Sequence, residues 1–150
     1  MRAPTGRRRH ALPARSRTPV VTARPPVVEA WHRVVETRDP ALLGPLLADG
    51  CVFRSPAVHA PQEGKRLTLA YLSAALVVLG PTLTYHRELF GDDSAVLEFT
   101  ATLDGLDVHG VDLVRWDADG QIVDFTVMVR PLRGLEKLVA LMRAQLEGRG

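Results

Sequence analysis

Cysteine is almost absent: Cys51 is the only one in 150 residues. It has no partner for an internal disulfide and cannot supply a cysteine-based zinc site alone. An intracellular, cytoplasmic protein is the reading that follows. Long hydrophobic runs are also missing. No apolar stretch approaches the ~18 residues a membrane-spanning helix needs, and Leu67 to Leu79 is broken by Thr68, Tyr71 and Ser73. There is no glycine-rich phosphate loop. The five histidines show no metal-ligand spacing, and Asp92-Asp93 and Asp117/Asp119 read as turn residues. No metal and no cofactor are therefore expected.

Acid is absent from one end. Residues 1–24 hold Arg2, Arg7, Arg8, Arg9, Arg15, Arg17 and Arg24 and no Asp or Glu, so the remaining 12 basic residues face all 17 acids. The net charge of +2 thus divides into +7 for residues 1–24 and −5 for 25–150. A nucleic-acid groove on the fold is disfavoured, because phosphate binding needs clustered positive charge there. Residues 1–26, mostly Arg, Pro, Ala and Thr, read as a disordered basic tail. Its composition fits a transit peptide, a basic arm for nucleic acid or anionic lipid, or a start assigned upstream of Val20, Val21 or Val27. A twin-arginine signal is disfavoured, since no apolar stretch follows Arg7-Arg8-Arg9.

What remains is ordinary for a globular domain, with 46% hydrophobic and 24% charged residues. Pro25-Pro26 opens a helix whose apolar face is Val27, Val28, Trp31, Val34 and Val35. Asp39-Pro40 breaks it and starts a short second helix, with Leu42, Leu43, Leu46 and Leu47 inward, ended by Asp49-Gly50. A strand over 51–55 follows, then a third helix from Leu67 to Leu79 closed by Gly80-Pro81. From Thr82 the period changes to two. Residues 82–90, 94–104, 106–116 and 121–130 are four strands, the last three forming an antiparallel meander through Asp-Gly turns. Leu132 to Glu147 is a final amphipathic helix. Helices followed by a curled antiparallel sheet predict an α+β roll.

Three stretches carry a resemblance: Val34-Val35-Glu36-Thr37-Arg38-Asp39-Pro40; Leu46-Leu47-Ala48-Asp49-Gly50-Cys51-Val52-Phe53-Arg54-Ser55-Pro56; and Gly110-Val111-Asp112-Leu113-Val114-Arg115-Trp116-Asp117-Ala118-Asp119-Gly120-Gln121-Ile122. In order and spacing they resemble the SnoaL-like branch of the nuclear transport factor 2 superfamily, over about residues 27–147. The resemblance implies a conical roll, N-terminal helices packed on a bent, mainly antiparallel sheet plus a C-terminal helix, around an apolar pocket. It also sets the register. Leu97, Phe99, Ala101 and Leu103 should face the pocket, as should Val108, Gly110, Asp112 and Val114, and Val123, Phe125, Val127 and Val129. Trp31 and Phe53 should close the walls. The opposite face, with Glu98, Thr100, His109, Thr126, Met128 and Arg130, would pair two copies into a homodimer, as in many relatives.

Asp112 is the one acid in that wall. A poorly solvated carboxyl has a raised pKa, and its neutral form donates a hydrogen bond. Its position matches the acid with which the resembling ketosteroid isomerases stabilise an enolate oxygen. The rest of that constellation differs. Ser55 stands where those isomerases carry a base carboxylate, and Trp31 where they carry a tyrosine on the first helix. Val127 stands where cyclases and epoxide-hydrolase-like relatives carry an aspartate. The candidate catalytic set is therefore Asp112, as acid or oxyanion donor, with Ser55 and Trp31 as helpers. A satisfied structural aspartate is the competing reading. A Ser55–His59 pair is a weaker candidate, His109 and Arg130 are assigned to the outer face or rim, and His32 and His86 to solvent. The expected function is binding of a small apolar molecule of polycyclic, terpenoid or polyketide type. The enzyme version is an isomerase, cyclase or hydrolase without cofactor; the alternative is a non-catalytic ligand-binding or interaction module.

Overall fold

The computed structural model describes residues 23–148. Expectations for the tail over residues 1–22 lie outside that range. Pro26 is already helical, and Arg24 Nε donates to Glu88 Oε2 at 3.2 Å. Helix α1, Pro26–Thr37, buries Val27, Val28, Trp31 and Val34. It stops at Arg38, whose φ of 54° is left-handed and whose amide caps Val34.

The next segment departs from expectation. Instead of one helix through Leu47, two three-residue 3-10 turns, Pro40–Leu42 and Gly44–Leu46, lead directly into strand β1, Leu47–Arg54. Pro45 has no amide hydrogen, so an α-helical ladder cannot run through it. Leu43 and Leu47 are fully buried, but Leu42 is exposed. Asp49-Gly50 lies inside β1, where the pairing slips between Leu47 and Val52, rather than ending a helix.

Strand β2, Gln62–Glu63, was not anticipated; two residues are too short to show a period. Helix α2, Lys65–Val78, then precedes strands β3 Thr84–Phe90, β4 Ser94–Leu103, β5 Leu106–Trp116 and β6 Ile122–Arg130, and helix α3, Leu132–Glu147. The six strands form one sheet in the order β2-β1-β6-β5-β4-β3. The meander is antiparallel, but β1 runs parallel to β6, so the sheet is mixed. Asp104 and Gly105, with φ of 47° and 79°, make the β4–β5 turn; positive φ at both central residues matches the right-handed twist of a hairpin. Helices α2 and α3 pack together across the concave face.

Alternation along β4 follows the expected register: Leu97, Phe99, Ala101 and Leu103 are buried. On β6, Ile122 takes the fully buried place and Val123 is only half-buried, beside a register shift between Arg115 and Trp116. No helix among the described residues is long and apolar enough to cross a membrane.

Gly110 marks the tightest approach in the sheet. A Cβ there would lie 2.6 Å from Phe99 Cζ and 2.5 Å from the Met128 carbonyl oxygen. Phe99 therefore lies over β5 only because residue 110 has no side chain. Gly110→Ala should lower stability by about 1–3 kcal/mol, measured as an earlier urea midpoint at unchanged slope; an unshifted midpoint would show that Phe99 moves aside freely.

Candidate active site

A cavity of about 410 Å³ lies between the concave sheet and helices α2 and α3. Apolar side chains from both helices, including Leu72, Leu76, Leu138 and Met142, form one wall. Phe53, Phe125 and Val127 form the other, with Trp31 and Tyr85 beside them. Amphipathic spacing aims the helical residues inward. The three charged residues on the lining are Asp112, Arg143 and Glu147; the last two are exposed on the final turns of α3.

Asp112 sits mid-strand on β5, opposite Leu97 of β4 and Val127 of β6. It is only 5% exposed. Tyr85 donates its hydroxyl hydrogen to Asp112 Oδ2 at 2.7 Å, and Trp31 Nε1 donates to the Tyr85 oxygen at 2.8 Å. The chain runs from α1 through β3 to β5, every donor pointing towards the carboxyl. Among the described residues, no hydrogen bond reaches Oδ1. Burial pushes the Asp112 carboxyl up from 3.8 to about 7, while the Tyr85 hydrogen bond acts in the opposite sense. Tyr85 is held well above the ordinary phenol range by burial first, then by the Asp112 charge.

Several expected placements need correction. Trp31 lines the cavity, but its single donor is engaged by Tyr85, so it cannot also serve a ligand. Ser55 is on the lining near the mouth, where its oxygen accepts from the Ala57 amide at 3.1 Å. His59 is exposed and off the lining, and no hydrogen bond joins it to Ser55 among the described residues. Leu97, Phe99, Ala101, Val114 and Val129 face inward but do not reach the void; their side chains are occupied by core packing beneath it. His32 is not solvated: its Nε2 contacts Glu88 and its ring packs edge-on against Tyr85 at 4.9 Å.

His109 and Arg130 lie on the outer face. His109 Nε2 is 2.9 Å from Glu98 Oε1 and its Nδ1 is 3.4 Å from Arg130. Hydrogen bonds from Arg87, then His109, pull the Glu98 carboxyl down to about 2. Among the described residues no cluster of three or more His, Cys, Asp or Glu side chains is placed to share a metal ion.

Sequence reasoning missed Tyr85 and the whole helical wall of the cavity, Tyr71, Leu72, Leu76, Leu138 and Met142 among it. Counting alternate residues along the 82–90 strand would have turned Leu83 and Tyr85 inward together.

A bent six-stranded sheet cupped by helices is the architecture of a cystatin-like α+β cone. A match to the SnoaL-like domain spans residues 28–125, and the chain belongs to that family. It is similar to a steroid delta-isomerase from Pseudomonas aeruginosa, at 38% identity and a TM-score of 0.78, over 82% of this chain and 90% of that one. An uncharacterised cystatin-like-fold protein from Silicibacter pomeroyi is 29% identical, with a TM-score of 0.75 over 80% and 84% of the two chains. The epoxide hydrolase/cyclase-like enzyme SalBIII, with a role in pyran ring formation in polyether salinomycin, shares the fold at 16% identity and a TM-score of 0.59, over 69% and 88%. No curated protein matches the chain.

The geometry sets the sign of one perturbation. Removing the Tyr85 hydroxyl takes away the one interaction that favours the charged carboxyl, so Tyr85→Phe should raise the Asp112 midpoint above about 7. Carboxyl-carbon NMR titration of wild type, Tyr85→Phe and Asp112→Asn reads this directly. A midpoint that stays put or falls would mean that water, not Tyr85, solvates the carboxyl.

Proposed function

We propose that the protein is a cofactor-independent enzyme of isomerase or cyclase type, acting on an apolar, ring-sized carbonyl or epoxide compound. The observation that carries this reading is the unpartnered Asp112 Oδ1 in an apolar cavity, with Tyr85 and Trp31 fixing the rest of the carboxyl. An acid with a positioned partner favours chemistry over passive binding. Neutral Asp112 donates to the substrate oxygen through Oδ1. The proton moves onto that oxygen as an enol or ring-closed product forms.

No second carboxyl lies in the enclosed part of the lining, since Glu147 is on the exposed rim. Asp112 therefore recovers its proton from the same substrate. In an isomerisation it comes from the α-carbon, giving a dienol; Asp112 then delivers that proton to the γ-carbon and takes back the one on the enol oxygen. In a ring closure it comes from the attacking hydroxyl. Either outcome leaves the atoms of the substrate unchanged in number and requires no external oxidant or reductant. Similarity to a named steroid delta-isomerase supports an unsaturated ketone as the first substrate to try.

Conversion of a steroid β,γ-unsaturated ketone to its conjugated isomer is followed by the growth of enone absorbance. Asp112→Asn should cost at least about 100-fold in kcat, the scale of general acid–base catalysis. Since the protonated form is the donor, the rate should fall as pH rises through about 7. Binding of the ketone with no turnover over a panel of ketones and epoxides would leave the non-catalytic module.

The outer face supports a second part of the reading. Met128 is 55% exposed and Leu89 is 64% exposed, flanking the Arg87–Glu98–His109–Arg130 group. We infer that two copies pair through this face. Sedimentation at micromolar concentration should give a dimer that Met128→Glu dissociates; a monomeric wild type would sink the idea.

A further inference from the structure

Aromatic residues are few in this chain: two Trp, two Tyr and four Phe. Five of those eight line the one cavity just described: Trp31, Phe53, Tyr71, Tyr85 and Phe125. They are packed as a group. Trp31 and Phe125 have ring centroids 4.8 Å apart, Phe53 and Tyr71 5.4 Å, and Phe53 and Phe125 6.4 Å. Asp112 joins the same lining through Tyr85.

A buried carboxyl normally has a cationic partner, because an isolated buried charge is costly. Asp112 has none among the described residues. Its hydrogen-bond partner is the neutral Tyr85 hydroxyl. The one cation on the lining, Arg143, is exposed on the rim four residues from Glu147, of opposite sign. The interior thus carries one ionisable acid, several aromatic rings and no internal counter-ion.

We propose that this cavity binds lipophilic amines as ammonium ions, the ring body among the aromatic side chains and the charged nitrogen against Asp112 Oδ1. Aromatic faces attract cations through the ring quadrupole, and the attraction grows when the cation leaves water. An N⁺–H···O⁻ hydrogen bond to Oδ1 is of the charge-assisted kind. An adjacent cation also favours the ionised carboxyl, so binding draws Asp112 into the form that binds. The inference rests on the same cavity as the enzyme reading but not on turnover, and it predicts a ligand class opposite in polarity to a carbonyl acceptor.

The test compares 1-naphthylmethylamine with its near-isostere 1-naphthylmethanol by calorimetry at neutral pH, on the full chain. The amine should bind at least about ten-fold more tightly, the size of preference that one nearby opposite charge produces. Asp112→Asn should abolish that preference, bringing the amine's affinity down to that of the alcohol measured in the same variant. Equal or weaker amine binding, or a preference that survives in Asp112→Asn, overturns the proposal. A second measurement needs no variant: saturating amine should lower the wild-type Asp112 midpoint in carboxyl-carbon NMR by at least about one pH unit. The alcohol should not, and an unmoved midpoint with bound amine also overturns it. Ketone turnover is scored separately, so loss of amine selectivity with turnover intact removes this inference alone. Amine selectivity without turnover removes only the enzyme reading.

Discussion

A carboxyl group in an apolar wall is a problem of solvation, and much of this domain is arranged around its solution. Asp112 is shielded from water by the core and cannot be satisfied by its own strand, whose amides and carbonyls pair with β4 and β6. The partner comes from two strands away, through Tyr85 on β3, and Tyr85 in turn is held by Trp31 on α1. Trp31 and Asp112 are buried and Tyr85 between them is partly buried, so each needs its neighbour; a buried donor or acceptor left unmade costs about 1–3 kcal/mol. The chain therefore fixes where α1 sits as well as which way the carboxyl points.

A second tether reinforces the first from the opposite side of Tyr85. His32, one residue beyond Trp31, contacts Glu88 and packs edge-on against the Tyr85 ring. Arg24, just before α1, reaches the same Glu88 carboxylate. Helix α1 is thus pinned to the edge strand by a partly buried hydrogen bond through Trp31 and a half-buried polar group through His32. Residues three or four apart share a helix face, whereas Trp31 and His32 are adjacent and diverge. They can straddle Tyr85 for that reason.

The parts of this architecture that were legible are those where one period holds for a whole element. β4 and β5 alternate without interruption, so once the family resemblance set which face is inward, the inward parity of Asp112 and the outward parity of His109 followed. Tyr85 could not be read as safely. A strict period of two over 82–90 groups Leu83, Tyr85, Arg87 and Leu89, mixing charge with apolar side chains. The structure shows why: pairing with β4 slips between Tyr85 and Glu88, so Glu88 turns inward and Leu89 is left exposed. A bulge changes side-chain parity within one strand, and a single sequence carries no mark of it. The 40–47 segment failed for a different reason: leucines at helical spacing dominated the pattern, while Pro45 removed the hydrogen bond that an α-helix required. Which inward side chains meet a void and which meet each other is a matter of three-dimensional packing. Phe99 fills the space above Gly110 and is therefore core, whereas Phe125, two strands away on β6, borders the cavity.

Two carboxyls on adjacent strands show how far environment separates like groups. Glu98 on β4 lies one residue along from Leu97, the cross-strand partner of Asp112, but on the opposite face of the sheet. There Arg87 and His109 supply hydrogen bonds to the charged form, and its pKa is drawn down to about 2. Asp112 receives one neutral donor in an apolar wall and is pushed up to about 7. The separation has the pattern by which acid and base roles are divided in enzyme sites, yet here a sheet stands between the two groups, so they cannot serve one substrate. Glu98 is committed to the outer surface and stays ionised at neutral pH. Of the two, only Asp112 faces the cavity, where burial brings its pKa to about 7 and makes its charge sensitive to whatever lies beside it.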